Sequence, residues 1–440
     1  MPEPETYAGD LWGRPRLTGN WGGARDALAK RGVWLDVDLL QVLQGVGAGG
    51  RDTGVAYGGH ADYRLQVDTG KLGIWPGGLL TVFAESSYGN NVNQKAGATE
   101  AVDTAATYPQ PAQNNTTLSS VVFTQFLTEW FGIFAGKLDT GQGDVNEFAN
   151  NYRTQFLYSG LQYNLVTDLN VPYTPLGAGI VVTPVEGADF SLAVMDPNGT
   201  VTRTGFDNFF TSGVTLNGEG RVTIKPFGLT GHQSLGFTWS NKHYVSLDQD
   251  PSNIARLFLF DRFPRLQNPG PILERALERF FPQLLVPVQP LHQTTNTWSV
   301  YYNLDQYLWQ PQGDPNRGVG VFLRFGVSDG IANPVKYHYN VGIGGKGVVP
   351  GRPQDNFGVG WSHLEYTNNL VPLLRQRLGL GLEHEDAVEL FYDVAITPWL
   401  HATPDLQIVK PGLAKFLNSA TQLQDVNTAV VSGLRVYARF

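Results

Sequence analysis

A side-chain alternation of period two runs through most of this chain and limits its fold more than any motif does. Val319, Val321, Leu323, Phe325 and Val327 share one face of an extended segment, and Gly320, Phe322, Arg324, Gly326 and Ser328 share the other. Val335, Tyr337, Tyr339, Val341 and Ile343 interleave in the same way with Lys336, His338, Asn340 and Gly342. Val388, Leu390, Tyr392, Val394 and Ile396 do so with Glu389, Phe391, Asp393, Ala395 and Thr397, and Leu434, Val436, Ala438 and Phe440 with Arg435, Tyr437 and Arg439. Successive side chains of a strand point to opposite faces, so each segment reads as a strand with an apolar side and a side of charges, amides and glycines. Sixteen strands are read, near 34–46, 60–70, 78–89, 118–129, 131–139, 177–186, 189–197, 211–226, 231–247, 293–310, 317–329, 334–346, 355–367, 385–397, 400–410 and 427–440.

A soluble sandwich also alternates, with its apolar face as core. Two features favour lipid instead. Trp34, Trp75, Trp130, Trp298, Trp309, Trp361 and Trp399 stand at segment ends, where interfacial girdles lie. The polar face is glycine-rich and lacks the lysine excess of a solvated surface. Only 16% of the 440 residues are charged, and the mean hydropathy of −0.18 averages two unlike faces. No run approaches the ~20 apolar residues of a membrane helix, but a membrane barrel carries no such run. Long connections (90–117, 140–176, 248–292) alternate with tight turns (186–189, 226–231, 397–399), as outer loops and periplasmic turns do; the short 330–333 connection departs from this.

The expected fold is therefore all-β, a transmembrane antiparallel β-barrel of sixteen strands over 34–440, with short helices in the N-terminal segment and in outer loops. Residues 1–33 form a periplasmic segment with a short helix, and the third loop, about 140–176, folds inward. An even strand count leaves both ends on the periplasmic side, with Phe440 as the last lipid-facing residue, available to the barrel-assembly machinery. Arg435 and Arg439 are expected to balance Asp36 and Asp38 of the first strand across the closing seam. Met1 to Glu5 has neither the basic start nor the apolar stretch of a signal peptide, and the expected location is the outer membrane of a Gram-negative bacterium.

Other chemistries find little support. A net charge of −8 argues against nucleic acid. The absence of cysteine removes thiolate metal sites and thiol nucleophiles, and the eight histidines form no HExxH pair. Gly45 to Gly50 has the look of a dinucleotide loop, but no helix follows, so it reads as a loop tip. Glu383, Glu385 and Asp386 could mimic a glycosidase pair, yet at an outer loop they read as a solvated charge cluster. No catalytic residue, metal or cofactor is expected.

Four blocks carry a family likeness. Leu17-Thr18-Gly19-Asn20-Trp21-Gly22-Gly23-Ala24-Arg25, with Leu28 and Gly32, resembles the amino-terminal signature of the OprB-type carbohydrate-selective porins. Lys71 to Gly78 (KLGIWPGG) and Gly136-Lys137-Leu138-Asp139-Thr140 resemble further family blocks. So does Val394-Ala395-Ile396-Thr397-Pro398-Trp399-Leu400 with Pro404-Asp405-Leu406-Gln407. The resemblance implies passive diffusion of sugars through a sixteen-stranded outer-membrane barrel. Ile272 to Phe281, within Pro264–Pro290, reads as an amphipathic helix packed over the barrel mouth and is no recognised family feature.

A sugar presents hydroxyls and a C–H face without net charge, so a selective pore needs bidentate hydrogen-bonding groups and an aromatic surface. Asp144 to Phe156 of the third loop mixes amides, an arginine and aromatics. On the wall, Arg64 and Glu85 point inward from neighbouring strands, and the family pairs arginines with a glutamate and an aromatic at its constriction. The expected substrate-binding residues are Arg64, Glu85, Arg153, Asn150, Tyr152 and Phe148. Arg324 and Lys336 also point inward. The expected substrates are monosaccharides such as glucose, and small oligosaccharides. The expected partners are outer-membrane lipid and lipopolysaccharide, with a homotrimer among the oligomeric options. A general or small-anion porin is the alternative, favoured if inward arginines outnumber acids at the constriction. A soluble β-rich sugar-binding protein or glycosidase is a third.

Overall fold

Strands that are polar on one face and apolar on the other can satisfy both faces, and every backbone group, by closing into a ring. A computed structural model describes residues 4–110, 114–141, 145–282, 285–369, 382, 384–417 and 422–440 and has this form. Sixteen strands make one closed barrel. They are β1 Val33–Gly50, β2 Gly54–Asp68, β3 Gly78–Gly89, β4 Thr116–Phe126, β5 Phe131–Lys137, β6 Leu176–Val185, β7 Ala188–Met195 and β8 Thr215–Ile224. The ring continues with β9 Gly231–Ser240, β10 Thr297–Trp309, β11 Gly318–Ser328, β12 Val335–Lys346, β13 Asn356–Tyr366, β14 Glu385–Thr397, β15 Leu400–Lys410 and β16 Asn427–Arg439. Neighbours pair antiparallel, and β1 closes on β16 with Asp38 opposite Arg439 and Leu43 opposite Leu434.

The alternation predicts the faces correctly. On β11, Leu323 and Phe325 are 39% and 38% exposed while Arg324 between them is 0%. Ile343, Leu390 and Ile408 likewise stand outward and exposed, a belt made for lipid tails. No helix among the described residues is long and apolar enough to cross a membrane.

Several boundaries differ from expectation. β1 and β2 run on to Gly50 and from Gly54, so Gly45–Gly50 is strand rather than a loop tip. Bulges at Val46/Ala48 and Ala48/Gly50 let that stretch follow β16. Gly49 adopts φ +68°, and a Cβ there would collide with the Thr428 carbonyl. The strand expected at 293–310 starts at Thr297; Gln293–Thr294 instead pairs with Tyr244–Val245 in a small ladder. The 241–296 connection holds the expected helix, Pro271–Phe280, with Leu277 buried, and a further helix, Pro251–Arg262, that was not anticipated.

The N-terminal segment has a helix at Ala24–Lys30 and binds the seam. Arg25 is buried, lies 4.1 Å from the centre of the Tyr7 ring, and donates to Leu35 O (2.6 Å), Asp36 (3.0 Å) and Phe440 O (3.0 Å). Arg16 takes the same Asp36 carboxylate at 2.7 Å. Asp36 is thus balanced by the N-terminal segment and not by Arg435. Arg439 does stand near Asp38, at 4.0 Å.

Two long connections enter the barrel, L2 (90–115) and L3 (138–175). Val92, Ala96 and Val102 of L2 and Phe148, Phe156, Tyr158 and Leu161 of L3 pack against Tyr307, Phe322, Phe391, Val409 and Val431 of the wall. This inner core fills the side of the lumen bounded by β10–β16 and β1.

Candidate functional site

L3 is held by side chains that point in from the wall. Arg324, fully buried on β11, donates to Leu161 O (3.1 Å) and Ala149 O (2.6 Å). Arg435, fully buried on β16, donates to the carbonyls of Tyr152 and Gln155. From β14, Glu389 accepts the amides of Leu157 (2.5 Å) and Tyr158 (2.8 Å). A loop without regular structure carries backbone groups that must find partners once buried. The wall supplies both kinds, guanidinium for carbonyls and carboxylate for amides. Glu385 does the same for L2, accepting the amides of Thr99 (2.7 Å) and Glu100 (3.0 Å) and the Tyr158 hydroxyl (2.8 Å). Glu385 is 0% exposed, which corrects its reading as part of a solvated charge cluster. Asp386 faces outward and accepts from His363 (2.8 Å) and Trp361 (3.1 Å), and Glu383 lies outside the described residues.

Four of the expected site residues lie along the β2–β3 wall. His60, Asp62 and Arg64 follow one another at alternate inward positions of β2, with Glu85 opposite Asp62 on β3. Arg153 reaches from L3 to Asp62, with Nε at 2.9 Å, and its guanidinium lies 4.5 Å from the centre of the Tyr152 ring. Tyr152 stacks on Tyr108 of L2 (6.4 Å), and Tyr108 packs on Tyr173 (5.0 Å), whose hydroxyl donates to Glu85. Ser119 also donates to Glu85. Arg64 stands nearer the short-turn end, its guanidinium 5.4 Å from the Phe83 ring rather than on Glu85.

The other two lie elsewhere. Phe148 is 3% exposed and packs edge-on to Tyr307 (4.9 Å) across the lumen, under L3 rather than on its open surface. Wall glycines make its room: a Cβ on Gly320 or Gly344 would come within 2.4 Å or 2.6 Å of Phe148. Asn150 is partly exposed, and its backbone N–H donates to Gln155 Oε1 at 2.8 Å. Asp144, at the start of the expected L3 stretch, lies outside the described residues. Lys336 donates to Ser328 O (2.7 Å) and Asp329 O (3.0 Å) at its own hairpin.

His60, Asp62 and Glu85 bring three potential metal-ligand atoms within 4.8 Å of one another. Protein partners already engage these groups: Arg153 Nε and His60 Nε2 reach the two oxygens of Asp62 at 2.9 Å and 2.8 Å, and the Ser119 and Tyr173 hydroxyls donate to Glu85 Oε2. The arrangement is an ion-pair network.

The lumen stays open on the opposite side. A cavity of about 800 Å³ lies between L3 and β4–β8 and reaches to β10. Tyr108, Tyr163, Tyr173 and Tyr301 give it aromatic surface, and Asp139, Asp168 and Glu219 give it charge. Amides (Asn164, Asn217) and hydroxyls (Thr140, Ser191) complete a lining suited to polyols, and no Lys, Arg or His is among the described residues that form it. Sequence reasoning passed over this wall. Asn217 and Glu219 alternate on β8, and Tyr301 on β10 shares a face with Ser299 and Asn303, so the inward direction of these three was readable. Which side of the lumen L3 would leave free was not.

A family model, the carbohydrate-selective porins of the OprB family, matches residues 52–440. The chain belongs to this family. Porin B of Pseudomonas aeruginosa (strain PAO1) is 28% identical over 151 residues, a match spanning 31% of this chain and 31% of that protein. The high-pH structure of Pseudomonas putida OprB covers 98% of this OprB-family chain and 100% of its own, at TM-score 0.78 and 19% identity. The low-pH structure covers 98% and 99%, at TM-score 0.58 and 15% identity. At these identities the two structures speak for the fold, the closed barrel described above.

Proposed function

We propose that this chain is a passive outer-membrane pore for neutral monosaccharides such as glucose and for small oligosaccharides, which pass through the cavity between L3 and β4–β8. The observation that carries the reading is the lining. Tyrosine faces suit the C–H side of a sugar ring, and amides, hydroxyls and carboxylates suit its hydroxyls, within a space that encloses a hexose. Each contact is weak, and conduction needs release as well as binding. Glu85 sits beneath this path through Tyr173, and Arg153 with Tyr152 extends the polar and aromatic surface towards Arg64, the binding residue next along the wall. Asn150 would add an amide from L3, and Phe148 would act by fixing the loop's position.

The small-anion alternative required inward arginines to outnumber acids. Here the cavity is lined by Asp139, Asp168 and Glu219, while Arg324 and Arg435 are occupied by L3 carbonyls. In planar bilayers glucose should reduce the single-channel potassium chloride current. In liposomes it should cause faster swelling than an acyclic carboxylate of similar size. Absence of both effects would end the sugar-pore reading.

A further inference from the structure

The lumenal cations are unevenly available. Arg324 and Arg435 are buried under L3, and Arg153 is committed to Asp62. Arg64 and, by the alternation of β8, Arg221 face in nearer the short-turn end, beyond the cavity. Among the described residues that line the cavity, the formal charges are all negative. Asp168 opens onto the lumen from L3, where the surrounding protein pushes its carboxyl up to about 7 so that it is only partly ionised at neutral pH, Glu219 accepts the Tyr301 hydroxyl at 2.7 Å from the facing wall, and Asp139 also lines the space. A solute here has given up part of its bulk water, so a charge it carries is felt more strongly than in solution.

We propose that the pore sorts sugars by charge at this cavity, passing sugars that bear an ammonium group ahead of neutral ones and turning back sugar acids. The inference rests on the sugar-pore reading above and adds a substrate class to it. The tyrosines accept any pyranose face, so the acids distinguish 2-amino-2-deoxyhexoses from hexuronic acids of the same ring size. A net charge of about one carboxylate acting at roughly 8 Å across a lumen of effective dielectric constant near 40 gives about fivefold in each direction, hence roughly twentyfold between the two charged sugars.

The test is uptake of labelled glucose, glucosamine and glucuronate into proteoliposomes holding the full chain, at pH 7, where the amine is mostly protonated and the carboxylate ionised. Glucosamine should outrun glucuronate roughly twentyfold, with glucose between. Asp168→Asn combined with Glu219→Gln should lower that ratio severalfold, with Asp139 left in place. In wild-type barrels, 1 M salt should compress it as well, a measurement that needs no variant. Equal rates for the two charged sugars in the wild type, or a ratio that survives both the double variant and high salt, would overturn the proposal. Glucose block of the channel current keeps the two readings apart. If glucose blocks but charge makes no difference, the sugar pore stands and charge sorting falls. If glucose neither blocks the current nor speeds liposome swelling, both fall.

Discussion

At Arg153 one guanidinium joins L3 to the wall, placed between the Asp62 carboxylate and the Tyr152 ring. Replacing it with alanine leaves buried Asp62 with His60 Nε2 (2.8 Å) as its remaining partner, a loss of about 2–3 kcal/mol. Arg153→Ala should therefore lower the unfolding temperature of the barrel and make the channel current noisier as L3 loosens. Arg153→Lys should restore little, because an ammonium lacks the planar fork that meets the carboxylate here. Arg64→Ala, two residues on from Asp62 along β2, should weaken glucose block without a comparable loss of stability; unchanged block would remove Arg64 from the sugar path. A pH effect belongs to Asp26, in the N-terminal helix. Hydrogen bonds from the Tyr7 amide and the Thr6 hydroxyl hold its carboxyl below the ordinary carboxylate range. The contribution of a group whose folded-state value is lowered is in place above the usual value and is lost as pH falls through the lowered one. Exchange protection of the Tyr7 amide should thus persist at about pH 5 and disappear only below the usual range. Asp26→Asn should be less protected at neutral pH and flat across that window. The directions of single side chains were legible in the sequence, since Arg64, Glu219 and Tyr301 follow the strand alternation. Their partners were not. Arg324 and Arg435 look like pore-lining cations until L3 is in place, and their acceptors are backbone carbonyls that no residue pattern announces.

At the scale of elements, L3 owes its position to polar clamps and to packed aromatics, Phe148 and Phe156 above all. Arg324→Met with Arg435→Met removes the donors to four carbonyls while keeping much of the side-chain volume. Such unpaired buried acceptors cost about 1–3 kcal/mol each. The double variant should show a larger conductance and weaker glucose block, because L3 leaves the lumen; conductance equal to wild type would show that apolar packing alone holds the loop. Gly344→Val drives a side chain into Phe148 and should displace the same loop from the β11–β12 wall. Strand identity was legible because period two survives any loop arrangement. The β1–β2 connection was not, because a glycine run looks the same whether it bulges within a ladder or caps it; pairing with β16 decides that.

The whole molecule is a ring closed by its own ends. Arg25 touches the first strand and the last residue together, and Phe440 donates its amide to Val37 O at 2.7 Å. Arg25→Ala should cost about 2 kcal/mol in lost charge-assisted hydrogen bonds and lower the temperature at which the folded band converts to the unfolded one on unheated-versus-heated gels. The count and order of strands were legible at this scale because the alternation repeats around the ring. The uneven filling of the interior was not, since it depends on two loops meeting strands more than 200 residues away, as Leu157 meets Glu389. That unevenness gives the barrel a division of labour. Substitutions on β10–β16 meet a packed interior and register first as folding defects, whereas β4–β8 border open water and can change size and charge at little structural cost. Relatives with new diets would thus be expected to diverge along one arc of the ring, and a designer seeking a different cargo should begin there.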